Sequence, residues 1–306
     1  VRFKLDQINN YNPGLPKVED NLSYGIILDV PIALLEVLIN FEENKNNIYL
    51  KHFFCFFIFF LSSISFFKLL EKRFSNYYVS LFGVLIYFFS PRIFGSSFFD
   101  GKDLFFLSIF TITIYFYFYF ENNKSFFNLF IFALLASIAT SSRIIGGILP
   151  ISFLLIYFFN ILSDNKNLKI YLKTILTFLI IYFFTLYVHW PYLWNFELEN
   201  VFTYMNITVF FDNDFYKQQY LPTSYIPKWI LVSNPLFMVV FFLLGTFFLS
   251  KRFFFRLLNI SNQESAVNKS DFWRGFKEKF DFFIYISFFQ VIFIYMTFNL
   301  HMYSSW

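Results

Sequence analysis

Charge is what this chain has least of. Asp, Glu, Lys and Arg together make up 14% of its 306 residues, where a soluble domain carries about 25%. That leaves too little polar surface to cover a water-soluble globule of this length. Cysteine occurs once, at Cys55 within an apolar run. No disulfide can form inside the chain, and the thiol reads as a small packed or lipid-facing side chain. The three histidines, His52, His189 and His301, are not spaced as a zinc site. No Gly-rich phosphate loop, G-x-S-x-G elbow or H-E-x-x-H pair occurs. Nothing matches a nucleic-acid-binding module, so no nucleic-acid partner is expected. The formal charge of +4 reads as the loop lysines and arginines of a membrane protein. The first residues, Val1 to Glu19, are polar, carry Pro13, Gly14 and Pro16, and show no signal-peptide pattern.

What the chain does have is apolar length. Hydrophobic residues reach 58%, with 55 Phe and 21 Tyr. Crossing a bilayer takes roughly 20 apolar residues in helical form. The runs that qualify, or nearly so, are Ile48–Leu70, Tyr77–Phe89, Leu104–Phe120, Phe126–Ala139, Ile144–Leu162, Ile170–Val188, Trp229–Leu249 and Phe282–Asn299. The expected fold is all-α, a polytopic transmembrane helical bundle of about eight spans. Residues 1–47 form a loop outside the cytoplasm with one short interfacial helix at Ile26–Ile39, and residues 48–306 form the transmembrane domain. The run from Phe126 to Leu162 is interrupted only at Thr140-Ser141-Ser142-Arg143. At about 1.5 Å per residue, one helix of that length would far exceed the roughly 30 Å hydrocarbon core, so a tight turn is expected at Arg143.

Loop charges orient the drawing. Lys72 and Arg73, Lys124, Lys166 and Lys169, and the cluster Lys251 to Lys279 fall on one set of connections. Basic residues collect on the cytoplasmic side, so the alternate connections face outward. These are residues 1–47, Ser90–Asp103, the Arg143 turn, His189–Lys228 and His301–Trp306. The expected setting is an integral multi-pass protein of a bacterial inner membrane, with its active face outside the cytoplasm.

The outward connections hold the candidate chemistry. Ser90 to Asp103 packs Arg92, Asp100, Lys102 and Asp103 into fourteen residues. Asp103 is placed to cap the helix that follows. Alternatively, Asp100 and Asp103 bind a divalent metal or orient an acceptor, with Arg92 and Lys102 either neutralising them or holding a phosphate. Glu19 and Asp20 are solvated loop acids or a general base. Asp29 sits in an apolar stretch, where a charge needs a partner or a water-filled cavity. Arg143 either snorkels to the surface or faces a phosphate. His189 opens the aromatic stretch His189-Trp190-Pro191-Tyr192-Leu193-Trp194 and reads as a belt or packing residue rather than a ligand.

Several of these stretches carry a resemblance. Tyr24-Gly25 with Asp29, Ser90-Pro91-Arg92-Ile93-Phe94-Gly95 followed by Asp100-Gly101-Lys102-Asp103, Ser142-Arg143-Ile144 with Gly146, and the His189–Trp194 stretch resemble GT-C-type membrane glycosyltransferases. The likeness is to the family 39 group of protein O-mannosyltransferases and lipid A aminoarabinose transferases, and it extends over most of the chain. It implies transfer of a sugar from a polyprenyl-phosphate carrier to a protein or lipid acceptor outside the cytoplasm. Asp20, Glu19 or Asp29 would be the catalytic base, and Asp100 and Asp103 the second acidic pair. Arg92, Lys102 and Arg143 would hold the phosphate, with Tyr24 and His189 nearby. The family has a spanning helix before the first outer loop and continues past the equivalent of Trp306, which implies a chain cut at both ends. The competing expectation is a transporter or lipid flippase, which would place charges within spans.

Overall fold

A computed structural model describes residues 25–39, 44–163, 167–194, 228, 231–232, 234–261 and 275–298. Its described residues are helical, with no strand among them. The helices are α1 (Asp29–Ile39), α2 (Asn44–Phe74), α3 (Tyr77–Phe88), α4 (Pro91–Ser96), α5 (Asp103–Asn122), α6 (Phe126–Ser142), α7 (Ile148–Ser163), α8 (Leu168–His189), α9 (Leu236–Ser261) and α10 (Phe276–Phe298), with 3-10 turns at Ile144–Gly147 and Pro191–Leu193. Five stretches are long and apolar enough to cross a membrane: Ile48–Phe74, Asp103–Asn122, Ile144–Leu162, Leu168–His189 and Leu236–Phe255. Two shorter apolar helices, α3 and α6, occupy the second and fourth of the expected spans. The last expected span falls on α10, and its final residue, Asn299, lies outside the described residues.

Helix boundaries follow local chemistry. Ser75 takes a left-handed φ of 55° between α2 and α3, and the Asn76 side chain then accepts from the Tyr78 and Val79 N–H groups. Ser125 caps α6 in the same way, accepting from Asn128 N–H. Such caps satisfy the orphan donors of a first turn, and replacing one with Ala costs about 1 kcal/mol. Asn76→Ala is accordingly expected to lower the thermal midpoint by a few degrees, and melting in detergent by circular dichroism checks it.

The chain forms two compact units. The first comprises Val1–Ile151 with Leu172–Asn195, the second Ser152–Tyr171 with Phe196–Trp306. In the first unit α2 packs on α3 and α5, and α5 packs on α6. A stripe of small residues on α6, Ala133, Ala136, Ser137 and Thr140, is fully or almost fully buried. Small side chains at this helical spacing let neighbouring backbones approach closely inside a membrane. Phe132, also on α6, stacks on Phe178 at 5.1 Å and lies 5.3 Å from Tyr117. The outer faces are apolar instead of polar: Ile180, Phe183 and Phe184 on α8 are 69%, 60% and 67% exposed. That pattern fits hydrocarbon as the surrounding solvent. In the second unit Ser152 hydrogen-bonds Ser287 at 2.8 Å, and Tyr285 donates to Ser250 at 2.7 Å. Polar pairs of this kind join helices where water is absent.

The turn expected at Arg143 is present. α6 ends at Ser142, Arg143 is extended (φ −149°, ψ 129°), and the 3-10 turn leads into α7. Gly146 N–H donates to the Arg143 carbonyl at 2.7 Å. A Cβ on Gly146 would collide with the backbone of Ala139 and Thr140, so glycine alone lets the turn fold back on α6.

Candidate functional site

The site lies in the first unit, where the ends of five helices converge. The Gly25 N–H donates to the Ser141 carbonyl at 2.8 Å, and Ile26 N–H to the His189 carbonyl at 3.3 Å. The segment before α1 is thereby tied to the C-terminal ends of both α6 and α8. The approach is close: a Cβ on Gly25 would stand 2.5 Å from Ser141 Oγ. Glycine is what the Tyr24-Gly25 pair contributes to the structure, while Tyr24 itself lies outside the described residues.

Two ion pairs mark this end of the unit. Lys51 Nζ on α2 lies 3.6 Å from Asp29 Oδ1 at the start of α1. The Arg143 guanidinium, just past α6, bonds the Asp103 carboxylate at the start of α5. The Asp100–Asp103 turn bridges them, since a Cβ at Gly101 would meet Lys51 Cε at 3.3 Å and Leu28 at 3.4 Å. Cys55 is packed here rather than facing lipid, at 2% exposure, within reach of the charges of Lys51, Asp100 and Asp29. Four charged groups from four separate elements thus gather at one end, and the charge cost of Asp29 in its apolar stretch is offset by Lys51.

The structure corrects one expectation. Asp103 does not cap α5. The Asp100 carboxylate does that work, accepting from the Lys102 and Asp103 N–H groups at 3.0 and 2.9 Å. Asp103 occupies the first turn with a side chain 60% exposed, which frees its carboxylate for Arg143. The physical reason is the turn geometry at Asp100-Gly101-Lys102: it aims the earlier acid at the helix amides and the later one outward. Among the described residues, no three His, Cys, Asp or Glu side chains gather as a metal site.

His189 is buried, at 6% exposure. Its Nε2 lies 2.9 Å from Ser137 Oγ, which also accepts from Thr185 Oγ1 at 2.9 Å. Tyr182 OH donates to Thr140 Oγ1 at 3.0 Å nearby. The packing reading of His189 therefore fits: its ring locks α8 to α6, and its carbonyl holds Ile26. Arg92 stands exposed on the six-residue α4, and Lys102 is exposed just before α5. Glu19 and Asp20 lie outside the described residues. The residue that sequence reasoning missed is Lys51. It lies in the apolar run Ile48–Leu70, and no helical or strand spacing links it to Asp29.

In comparisons with known proteins, no family model, no curated protein and no solved structure matches the chain.

Proposed function

We propose that this chain is a membrane glycosyltransferase that moves a sugar from a polyprenyl-phosphate carrier to a protein or lipid acceptor outside the cytoplasm. The observation that carries the reading is the meeting of Asp29, Lys51, Asp103 and Arg143. Asp29, Asp103 and Arg143 come from connections that the loop charges assign to a single face, and the contacts of Lys51 near the start of α2 and of Arg143 draw the four together. Carboxylates beside fixed cations are what transfer from a lipid phosphate needs: a proton acceptor and a countercharge for the leaving group.

The step is as follows. The acceptor hydroxyl gives its proton to a carboxylate, with Asp29 first among the described acids. Its oxygen forms the new bond to the anomeric carbon as the bond from that carbon to the phosphate oxygen breaks. The phosphate leaves with the electron pair, and the anomeric centre inverts. Arg143, Lys102 and Arg92 balance the charge that develops on the phosphate. Asp103 holds Arg143, and Asp100 fixes the turn that presents Asp103. In this reading the bundle has about eight spans, counting α3, α6 and α10 with the five long helices, and the clustered face lies outside a bacterial inner membrane.

The test is transfer from a labelled polyprenyl-phosphate sugar in membranes holding the full-length gene product, with the double variant Asp100→Asn/Asp103→Asn beside it. Loss of most transfer in the variant is the expected result. Full transfer in the variant would reduce the turn to a helix cap. Lipid movement with no turnover of any carrier-linked sugar would replace the enzyme with a flippase.

A further inference from the structure

His189 lies buried where the last turn of α8 meets α6, and the proposed reaction gives its ring no part. The hydrogen bonds around the ring settle which nitrogen carries the proton. A serine hydroxyl has one proton to donate and two lone pairs that accept. The Ser137 hydroxyl donates to the Leu134 carbonyl at 2.7 Å and accepts from Thr185 Oγ1 at 2.9 Å. Its remaining lone pair faces His189 Nε2 at 2.9 Å, so Nε2 is the donor. Nδ1 is then a bare acceptor, and among the described residues it has no hydrogen-bond partner. Thr140 repeats the pattern one turn on: its hydroxyl donates to the Ala136 carbonyl at 2.9 Å and accepts from Tyr182 at 3.0 Å. The hydroxyl oxygens of α6 thus take their donors from α8. Polar bonds of this kind fix how two helices sit where water is absent.

The same turn of α8 holds the chain before α1. Gly25 N–H reaches the Ser141 carbonyl of α6, one turn beyond Ser137, and Ile26 N–H reaches the carbonyl of His189 itself. Both bonds depend on how far apart the ends of α6 and α8 stand. The Ile26 carbonyl in turn accepts from Val30 N–H at 2.9 Å, closing the turn that carries Asp29. Leu28, in that turn, lies at the point where a Cβ on Gly101 would also meet Lys51 and Cys55. A shift at Ile26 therefore passes within one turn to the Asp29 carboxylate and its contact with Lys51, and to the cover over Cys55.

We infer that His189 is a positioning residue for Asp29: its Nε2–H on Ser137 spaces the ends of α6 and α8, and residues 25–28 carry that spacing to the carboxylate. The ring acts through the backbone and takes no proton from the acceptor. Its effect on rate rests on Asp29 being the base of the proposed transfer. Its effect on the seating of residues 25–29 does not.

The full-length protein in membranes would be assayed for transfer from a labelled polyprenyl-phosphate sugar. In parallel, purified in mild detergent, it would be treated with N-ethylmaleimide and its Cys55 peptide followed by mass spectrometry. His189→Leu removes the donor and keeps an apolar side chain. It is expected to lower kcat by about 10²-fold, the cost of misplacing a reacting group by about 1 Å, with KM for the carrier little altered. Cys55, buried in the wild type, should label about two- to tenfold faster, the factor that one lost hydrogen bond allows. His189→Gln, whose amide reaches as far as Nε2, should recover most of both losses. His189→Asn reaches only as far as Nδ1 and should behave as His189→Leu does. Ser137→Ala removes the oxygen instead of the ring and should match His189→Leu, which keeps the test decisive if that variant is unstable. Wild-type kcat and labelling in folded His189→Leu or Ser137→Ala protein would overturn the proposal, and so would equal behaviour of His189→Gln and His189→Asn. Labelling in the expected order with no sugar transfer by any protein, wild type included, would uphold the seating of residues 25–29 and remove the glycosyltransferase reading.

Discussion

Asp29→Asn is expected to cut sugar transfer by about 10²- to 10⁴-fold, the usual contribution of a general base. The substitution keeps the size of the side chain and its place at the start of α1, so the helix and the bonds of the preceding Gly25 and Ile26 to Ser141 and His189 should survive. What it removes is the capacity to take a proton. In the proposed mechanism the cations, not Asp29, hold the carrier's phosphate, so the change should fall on kcat with KM for the carrier little altered. The geometry favours this acid over Asp103. Both are paired, but the side chain of Asp29 is 26% exposed and that of Asp103 is 60% exposed. The more enclosed carboxylate is the one able to exclude water from a reacting acceptor, and it sits where Gly25 and Ile26 fix the backbone only a few residues away. Initial rates in membranes against carrier concentration measure the split. Full turnover by Asp29→Asn would move the base to another acid, with Glu19 and Asp20 first in line. A rise in KM alone would make Asp29 a binding group.

Much of this cluster was legible as a list and little of it as a set of contacts. The long apolar runs disclosed the helices, because about 20 apolar residues can be stable in only one form inside a bilayer. The break at Arg143 was legible for the same reason, since a helix through it would be too long. Loop charge alternation put Asp29, Asp100, Asp103, Arg143 and His189 on one face. Pairing was another matter. Arg143 meets Asp103 across 40 residues of chain, and Lys51 meets Asp29 because α2 starts beside the turn before α5. No periodicity encodes such contacts. The exchange of roles between Asp100 and Asp103 depends on the turn that brings the Asp100 carboxylate to the Lys102 and Asp103 N–H groups, since both acids satisfy the same sequence rule for a helix start. His189 showed the opposite lesson. Its aromatic neighbours marked an interfacial belt, yet the ring points to the Ser137 hydroxyl on α6, which offers a hydrogen bond that hydrocarbon does not and which Thr185 of α8 also bonds.

Gly146→Ala is expected to be the most damaging small substitution outside the charged residues. The added methyl would fall on the Ala139 carbonyl group and the Thr140 nitrogen. These are backbone atoms of a regular helix, so no rotamer change can make room. Overpacking typically costs about 1–3 kcal/mol, and a backbone collision belongs at the upper end. Relief has to come from lifting the 3-10 turn off α6, which moves Arg143, the residue whose carbonyl Gly146 bonds. A melting temperature lower by several degrees should therefore accompany a loss of transfer larger than the lost stability explains. Gly147→Ala is the control, since a Cβ there meets nothing within 4 Å. Ala also restricts the unfolded chain more than Gly, so this neighbour should be neutral or slightly stabilising and fully active. Two adjacent glycines with opposite responses would locate the constraint in the fold-back of the turn. Equal tolerance at both would mean that the turn does not hold Arg143 in place, and the Asp103 pair would then have to position that guanidinium unaided.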